Sequence, residues 1–288
     1  MLNKSKKPIW LASYPKSGNT WTRLFLTALL KEKEVDINNI ATDGIISGRN
    51  VIDSTLGINS AEVTEKDYLE FRPFLYDKWS ENHTNKEYLL VKVHDACILN
   101  GVILFPKTIT RGTIYILRNP FDMAASTANH HGVSIDMAVK MLCNNKHALA
   151  YNKKSLNNQI TQHLGSWSQH LISWTNIHRE NMLVIKYEDM LNKGLETFSK
   201  IVHYLDLDYT NQQIQEAISE VAFNKIQEKE KQNKFREAPK HAEMFFRSGR
   251  MGGWRNEITQ EQANYIVDCN YESLLKYGYI NENGDILV

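Results

Sequence analysis

Cysteine, proline and glycine are all scarce: three, six and 14 positions among 288 residues. So few glycines and prolines exclude a collagen-like or low-complexity chain. Cys97, Cys143 and Cys269 are odd in number, scattered and without CxxC spacing. That argues against a zinc site or a disulfide framework and points to a reducing compartment. Long apolar runs are missing too. The basic residues 1–7 are followed by only four apolar ones, residues 9–12, before Ser13-Tyr14-Pro15. This is too short for a signal-peptide core, and no segment approaches the ~18 apolar residues of a membrane span. Nor is there an excess of charge. The 34 Lys and Arg nearly cancel the 33 Asp and Glu, for a net charge of +1, whereas a general nucleic-acid binder carries a clear basic surplus. The expected protein is soluble and cytoplasmic, with neither membrane nor nucleic acid as a partner, and any anion site must be local.

What is present is a globular composition, 42% apolar and 23% charged, at a length where one hydrophobic core stops growing. Residues 9–14, 88–93, 113–117 and 181–187 read as buried strands. Helical spacing follows in residues 20–30, 121–130 and 164–178. Asn119-Pro120 forms a good helix opening. Alternation of strands and helices predicts an α/β fold with a central, mostly parallel sheet flanked by helices. In such sheets ligands sit at the carboxyl ends of the strands, where Tyr14 to Thr20, His94, Arg118 and Tyr187 fall.

Tyr14-Pro15-Lys16-Ser17-Gly18-Asn19-Thr20-Trp21 is a strand-to-helix turn of small residues. Unpaired amides at a helix N-terminus attract an anion, and Lys16 with the Ser17 and Thr20 hydroxyls adds to the pull. The lysine precedes the only glycine, so the spacing is not GxxxxGK[ST]. Such a turn serves as a P-loop-like phosphate cradle or as an ordinary βα turn with a surface lysine. Lys92 and His94 fall on one side of a strand end in period-2 alternation; a neighbouring lysine keeps an imidazole neutral and available as a base. A strand-end histidine is also a common structural residue. Arg118 leaves a strand and Ser126 lies two turns into the following helix, so a guanidinium and a hydroxyl can meet at a second phosphate. The same Arg-Asn-Pro is otherwise a structural turn. The adjacent His130 and His131 point about 100° apart on a helix, which disfavours a metal site. Trp167, Leu171, Trp174 and His178 form a stripe that reads as core, and His170 reads as structural.

These motifs, in this order, resemble the sulfotransferases that use 3′-phosphoadenosine 5′-phosphosulfate (PAPS), most closely the cytosolic small-molecule branch. After Tyr-Pro-Lys-Ser-Gly-Asn-Thr-Trp come Lys92-Val93-His94 and Arg118-Asn119-Pro120-x-Asp122-x-x-x-Ser126. Tyr187-Glu188-Asp189 follows, and then Arg247-x-Gly249 leading to Gly253-Trp254-Arg255. The resemblance spans residues 9–277 and implies one sulfotransferase domain over residues 1–288, with residues 224–252 as a mobile lid over the nucleotide.

The resemblance also assigns roles. Lys16 and residues Ser17, Gly18, Asn19 and Thr20 would hold the 5′-phosphosulfate, and Trp21 would stack on adenine. Arg118 and Ser126 would bind the 3′-phosphate, Tyr187 would reach the adenine, and Arg247, Ser248 and Gly249 would close over the 3′-phosphate. The family's Thr-Ser-Phe element matches Val221-Ala222-Phe223, so Phe223 can stack but the hydroxyls are missing. The implied reaction is in-line sulfuryl transfer to a hydroxyl, or an amine or carbamate nitrogen, of a small-molecule acceptor. His94 would be its base, Lys16 and Lys92 would balance charge, adenosine 3′,5′-bisphosphate would be released, and no metal would be needed.

Two features depart from the family pattern. Asp95 stands where an apolar residue and proline usually follow the histidine; its carboxylate would favour a cationic acceptor or form a salt bridge elsewhere. The C-terminal dimer signature survives only as Arg255-x-x-x-Thr259-Gln260 with Asn264, so a monomer and a homodimer both remain open. Two other functions fit parts of the pattern: a small-molecule or nucleotide kinase, which would need the missing Gly-Lys-Ser/Thr run, and a non-catalytic binder of 3′-phosphoadenosine nucleotides.

Overall fold

The computed structural model describes residues 7–31, 34–43, 46–83, 88–152, 155–239 and 241–288. Residues 1–6 of the basic N-terminus and Lys240 of the expected lid lie outside them. Four strands form one sheet in the order Leu90–Val93, Ile9–Ala12, Gly112–Leu117, Met182–Lys186. Ile9–Ala12 runs parallel to both of its neighbours, with Ile9 opposite Leu90 and Gly112. The first three of these strands, in that spatial order, are buried at every position, as expected for a sheet covered on both faces. Met182–Lys186 is only half-buried, as suits an edge. The outer edge of Leu90–Val93 is met by Asp43, which donates its N–H to Leu90 O and accepts that of Lys92. The fold is α/β, as the alternation predicted; three strands are two residues shorter than the apolar runs, and Gly112–Leu117 is one residue longer than its run.

Two compact units emerge from the pattern of chain contacts. The first comprises Met1–Tyr14, Asp43–Tyr115 and Asn144–Val184. It holds most of the sheet and the helices Arg49–Leu56, Glu65–Glu81 and Trp167–His178. Its core is aromatic. Phe105 stacks on Tyr76 at 5.1 Å and on Trp174 at 5.0 Å, and meets Trp10 edge-on at 5.0 Å. The buried indoles keep their N–H groups satisfied, Trp10 on Thr110 Oγ1 and Trp174 on the Asp95 carbonyl. The stripe Trp167, Leu171, Trp174 and His178 is wholly buried, as read from its spacing.

The second unit comprises Pro15–Thr42, Ile116–Cys143 and Ile185–Val288. It is mainly helical. Asn19–Lys31 packs along Asn211–Glu220, and Pro120–His131 packs along Ile135–Cys143. The Asn119 side chain caps the Pro120–His131 helix by accepting the Asp122 N–H, with Pro120 at the first position. Phe223–Gln232, at the start of the charged stretch that follows Val221-Ala222, is a helix. Thr259 of the dimer-signature remnant caps its own helix, Gln260–Lys276, in a capping box with Gln262.

Candidate active site

In the first unit the site begins where two parallel strands end side by side. Ser13 donates its N–H to Val93 O, and His94 is the next residue beyond Val93. His94 Nδ1 lies 2.8 Å from Ser13 O and 3.4 Å from Ser13 Oγ. A carbonyl oxygen can only accept, so Nδ1 carries a proton. Whenever the ring is neutral, this bond selects the tautomer in which Nε2 is the basic nitrogen. Lys92, two residues before His94 in the strand that leads to it, is buried.

Asp95, the residue that departs from the family pattern, does not act as a lone carboxylate. Its Oδ1 accepts from Arg72 Nη1 at 2.6 Å, and Arg72 also donates to Thr161 O. Both side chains are almost fully enclosed, at 3% and 5% exposure. Of the two readings of Asp95, the ion pair is the one observed.

In the second unit the phosphate-loop motif adopts the backbone that its residues allow. Lys16 has φ 71° and Gly18 has φ 99°, and two left-handed residues so close together turn the chain sharply. A Cβ at Gly18 would fall 2.6 Å from the Tyr187 ring. Only glycine lets the loop lie against that ring. Ser17, Asn19 and Thr20 are buried, and Gly18 O accepts the Thr22 N–H to start the helix. Lys16 Nζ sits 3.9 Å from the centroid of the Phe245 ring.

Arg118 ties this loop to the 247–250 segment. Its Nη1 donates to Lys16 O at 3.1 Å and its Nη2 to Arg250 O at 3.2 Å. The guanidinium also lies 4.3 Å from the Tyr187 ring centroid. Burial raises the pKa of the Tyr187 hydroxyl, with Arg118 opposing the shift. Trp21 meets the rings of Tyr187 and Phe198 edge-on and donates its indole N–H to Val221 O at 2.9 Å. Ser126 is half-buried in the second turn of Pro120–His131.

Residues 241–254 carry the arginine–glycine motif and are tied down at several points. The buried Glu230 carboxylate accepts the N–H groups of Phe245 and Phe246 at 2.7 and 2.9 Å. Asp122 accepts those of Gly252 and Trp254 at 2.8 and 3.0 Å. Gly249 has φ 59°, and a Cβ there would overlap the Phe223 ring at 2.2 Å. Arg247 makes a bidentate pair with Glu257 at 2.7 and 3.1 Å; Ser248 lies beside it, half-buried.

The structure therefore brings together Lys16, Gly18, Trp21, Arg118 and Tyr187 in one cluster, and Phe223 with Gly249 in another. Sequence reasoning missed Phe245 over Lys16, the Glu230 and Asp122 carboxylates that hold the following segment, and Glu188. The last accepts from Asn119 N and Nδ2 and from the Tyr279 hydroxyl. Asp122 stands within the Arg-Asn-Pro-x-Asp motif and Glu188 within Tyr-Glu-Asp, so position in a motif was the available signal for both. The donor set (Lys16, loop amides, Arg118) and a backbone shaped by two aromatic rings fit an anionic nucleotide. Among the described residues no cluster of three or more His, Cys, Asp and Glu is placed to hold a metal ion, and no helix is long and apolar enough to cross a membrane.

Comparison with known proteins agrees over nearly the full length. A family model described as "Sulfotransferase domain" matches residues 6–278. Flavonol 3-sulfotransferase of Flaveria bidentis is 22% identical, over 94% of this chain and 83% of that protein. Mouse sulfotransferase SULT7A1, solved in complex with PAP, superposes with a TM-score of 0.61 at 19% identity, over 98% of this chain and 88% of its own. Retinol dehydratase, solved with androsterone and the inactive cofactor PAP, gives a TM-score of 0.63 at 18% identity, over 98% and 84%.

Proposed function

The chain belongs to the sulfotransferase family, and from that premise we propose that it moves a sulfuryl group from PAPS to the hydroxyl of a small-molecule acceptor by in-line transfer. An amine or carbamate nitrogen is the secondary acceptor class. When bound, PAPS supplies the activated sulfuryl group; the chain positions it and manages charge and protons. Lys16 and the amides of Ser17 to Thr20 hold the 5′ end and neutralise charge on the bridging oxygen. Arg118 and Ser126, with Arg247, Ser248 and Gly249, bind the 3′-phosphate. Trp21, Tyr187 and Phe223 enclose the adenine, and residues 224–252 act as a lid. Lys92 balances charge beside His94, whose Nε2 takes the acceptor's proton.

The observation that carries this reading is the hydrogen bond from His94 Nδ1 to Ser13 O. In the neutral ring it leaves Nε2 as the nitrogen that can take a proton. The Gly18 turn beneath Tyr187 supports the nucleotide end. The relatives in the comparison act on a flavonol or were solved with androsterone, which favours hydroxyl acceptors with a fused-ring body. The lid assignment is supported by the glycines set beside arginines in residues 247–253.

Incubation with PAPS or with ATP and Mg²⁺, against a panel of a phenol, a flavonol, a hydroxysteroid, a primary alcohol and an amine, tests the reading. Sulfonated product from PAPS alone is expected. His94→Ala should lower kcat by ~10²–10⁴-fold and leave adenosine 3′,5′-bisphosphate affinity within about twofold. Phosphorylated product from ATP would overturn the reading, as would nucleotide binding without transfer to any acceptor.

A further inference from the structure

The peptide that carries the proposed base is held from the protein interior by a buried relay. His170 Nε2 lies 3.0 Å from the His94 carbonyl oxygen. The Tyr115 hydroxyl lies 2.8 Å from His170 Nδ1. The next peptide, at Asp95, accepts the Trp174 indole N–H at 3.0 Å. Because the His94 carbonyl only accepts, His170 must carry its proton on Nε2, and Nδ1 then accepts the Tyr115 hydroxyl proton. His170 is completely enclosed, with the Tyr14 ring edge-on to it at 5.4 Å. Burial lowers its pKa to about 4, which keeps the donor–acceptor polarity of the relay fixed at neutral pH. A histidine in an aromatic core stripe, bonded at both nitrogens, does more than fill space: an apolar residue of similar size would fill it without desolvating two ring nitrogens.

We propose that His170 is a positioning residue for His94: the relay from Tyr115 through His170 to the His94 carbonyl fixes the strand-end peptide. That peptide orientation brings His94 Nδ1 to the Ser13 carbonyl and aims Nε2 in a single direction. All five groups, Ser13, His94, Tyr115, His170 and Trp174, belong to the first compact unit. The proposal rests on the reading of His94 as the base, and its geometric part stands apart from any turnover.

The test compares wild type with His170→Leu, which removes the donor, and His170→Gln, whose amide keeps an N–H near the Nε2 position. With PAPS and the flavonol or hydroxysteroid, His170→Leu should lower kcat ~100-fold, the scale of an ångström-sized misplacement, with KM for PAPS within about twofold. His170→Gln should recover to within about tenfold of wild type. A purely structural role would lower the melting temperature and leave kcat per folded molecule unchanged, and that result would overturn the proposal. Independently, ¹⁵N-histidine NMR of the wild-type chain should show His170 as the neutral Nε2–H tautomer from pH 5.5 to 8, and His94 as a single Nδ1–H tautomer at neutral pH. A His170 proton on Nδ1 overturns the proposal without any variant, so a His170→Leu chain that fails to fold does not leave it untested. Should wild type sulfonate none of the acceptors, the sulfotransferase reading fails, and the tautomers still decide on the positioning.

Discussion

Removing the Asp95 carboxylate should be among the most damaging single changes to stability outside the hydrophobic core. At the 2.6 Å separation of Arg72 Nη1 and Asp95 Oδ1 and an effective dielectric near 20, the attraction is roughly 6 kcal/mol. Withdrawing both ions from water costs several kcal/mol each, so the pair as a whole is close to neutral. The asymmetry lies in the single variants. Asp95→Ala leaves a guanidinium at 3% exposure, with the Thr161 carbonyl as its remaining hydrogen-bond acceptor in this cluster, and should lose about 3–5 kcal/mol. Arg72→Met strands the carboxylate and should lose a similar amount. The double variant Arg72→Met/Asp95→Leu removes both charges and should lose less than either single one. Urea unfolding followed by circular dichroism measures all three. Single losses under about 1 kcal/mol, or a double loss equal to their sum, would refute the reasoning. The same pair bears on acceptor choice. A carboxylate committed to a buried guanidinium is not offered to a ligand, so Asp95→Asn should leave the ratio of kcat/KM for amine and hydroxyl acceptors unchanged.

Stability should fall as pH drops from about 6.5 to 4. His170 is neutral in the folded chain down to its lowered pKa of about 4, while the unfolded chain takes up the proton near 6.5, so the unfolded state binds more protons across that window. The loss attributable to His170 is roughly 3 kcal/mol, and urea midpoints of His170→Gln should show a correspondingly shallower pH slope. An identical slope in the two proteins refutes the assignment. Gly18→Ala places a Cβ 2.6 Å from Tyr187 at φ 99°. The strain, of order 1–3 kcal/mol, should weaken adenosine 3′,5′-bisphosphate binding by about 10–100-fold in calorimetry, and undiminished affinity would count against the loop. Glu230→Ala deprives the Phe245 and Phe246 amides of their acceptor. It should make residues 241–250 a preferred site of limited proteolysis, with bound nucleotide restoring protection; a cleavage pattern like that of wild type would exclude the tether.

Legibility in the sequence followed burial and local chemistry. Ile9–Ala12 and Gly112–Leu117 announced themselves because every residue in them is buried, and an unbroken apolar run bounded by polar residues has few other uses. Asn119-Pro120 fixed a helix start because capping depends on adjacent residues alone. Glu65–Glu81 was opaque for the opposite reason. Its buried face mixes Tyr68, Leu75, Tyr76 and Trp79 with Arg72, and a charged residue in that stripe breaks the apolar period. Arg72 pays for its burial through Asp95, a partner that no local pattern names. His170 was similarly hidden, since its spacing matches the core stripe and its two hydrogen-bond partners lie 55 and 76 residues away. The phosphate loop was legible as a motif, whereas Phe245 over Lys16 joins residues with no sequence relation at all.

The proposed phosphate ligands of the second unit would let a chain of net charge +1 hold a multiply charged nucleotide. Arg118 rests on two neutral carbonyls and an aromatic ring, and Lys16 lies against Phe245. A bond from a guanidinium to a carbonyl is already charge-assisted, and a phosphate acceptor adds attraction between full charges of opposite sign. On the proposed roles, exchanging carbonyl or ring for phosphate would favour binding at both side chains. Arg247 differs, because its fork is already matched bidentately by the Glu257 carboxylate. Transferring it to a phosphate exchanges one anion for another, so its net contribution is smaller despite the stronger final contact. On the proposed roles, Arg118 and Lys16 are already ordered in the folded chain by the contacts that a phosphate would replace. A concentration of positive charge is needed only where the ligand sits, and the remaining acidic and basic residues can balance without weakening it.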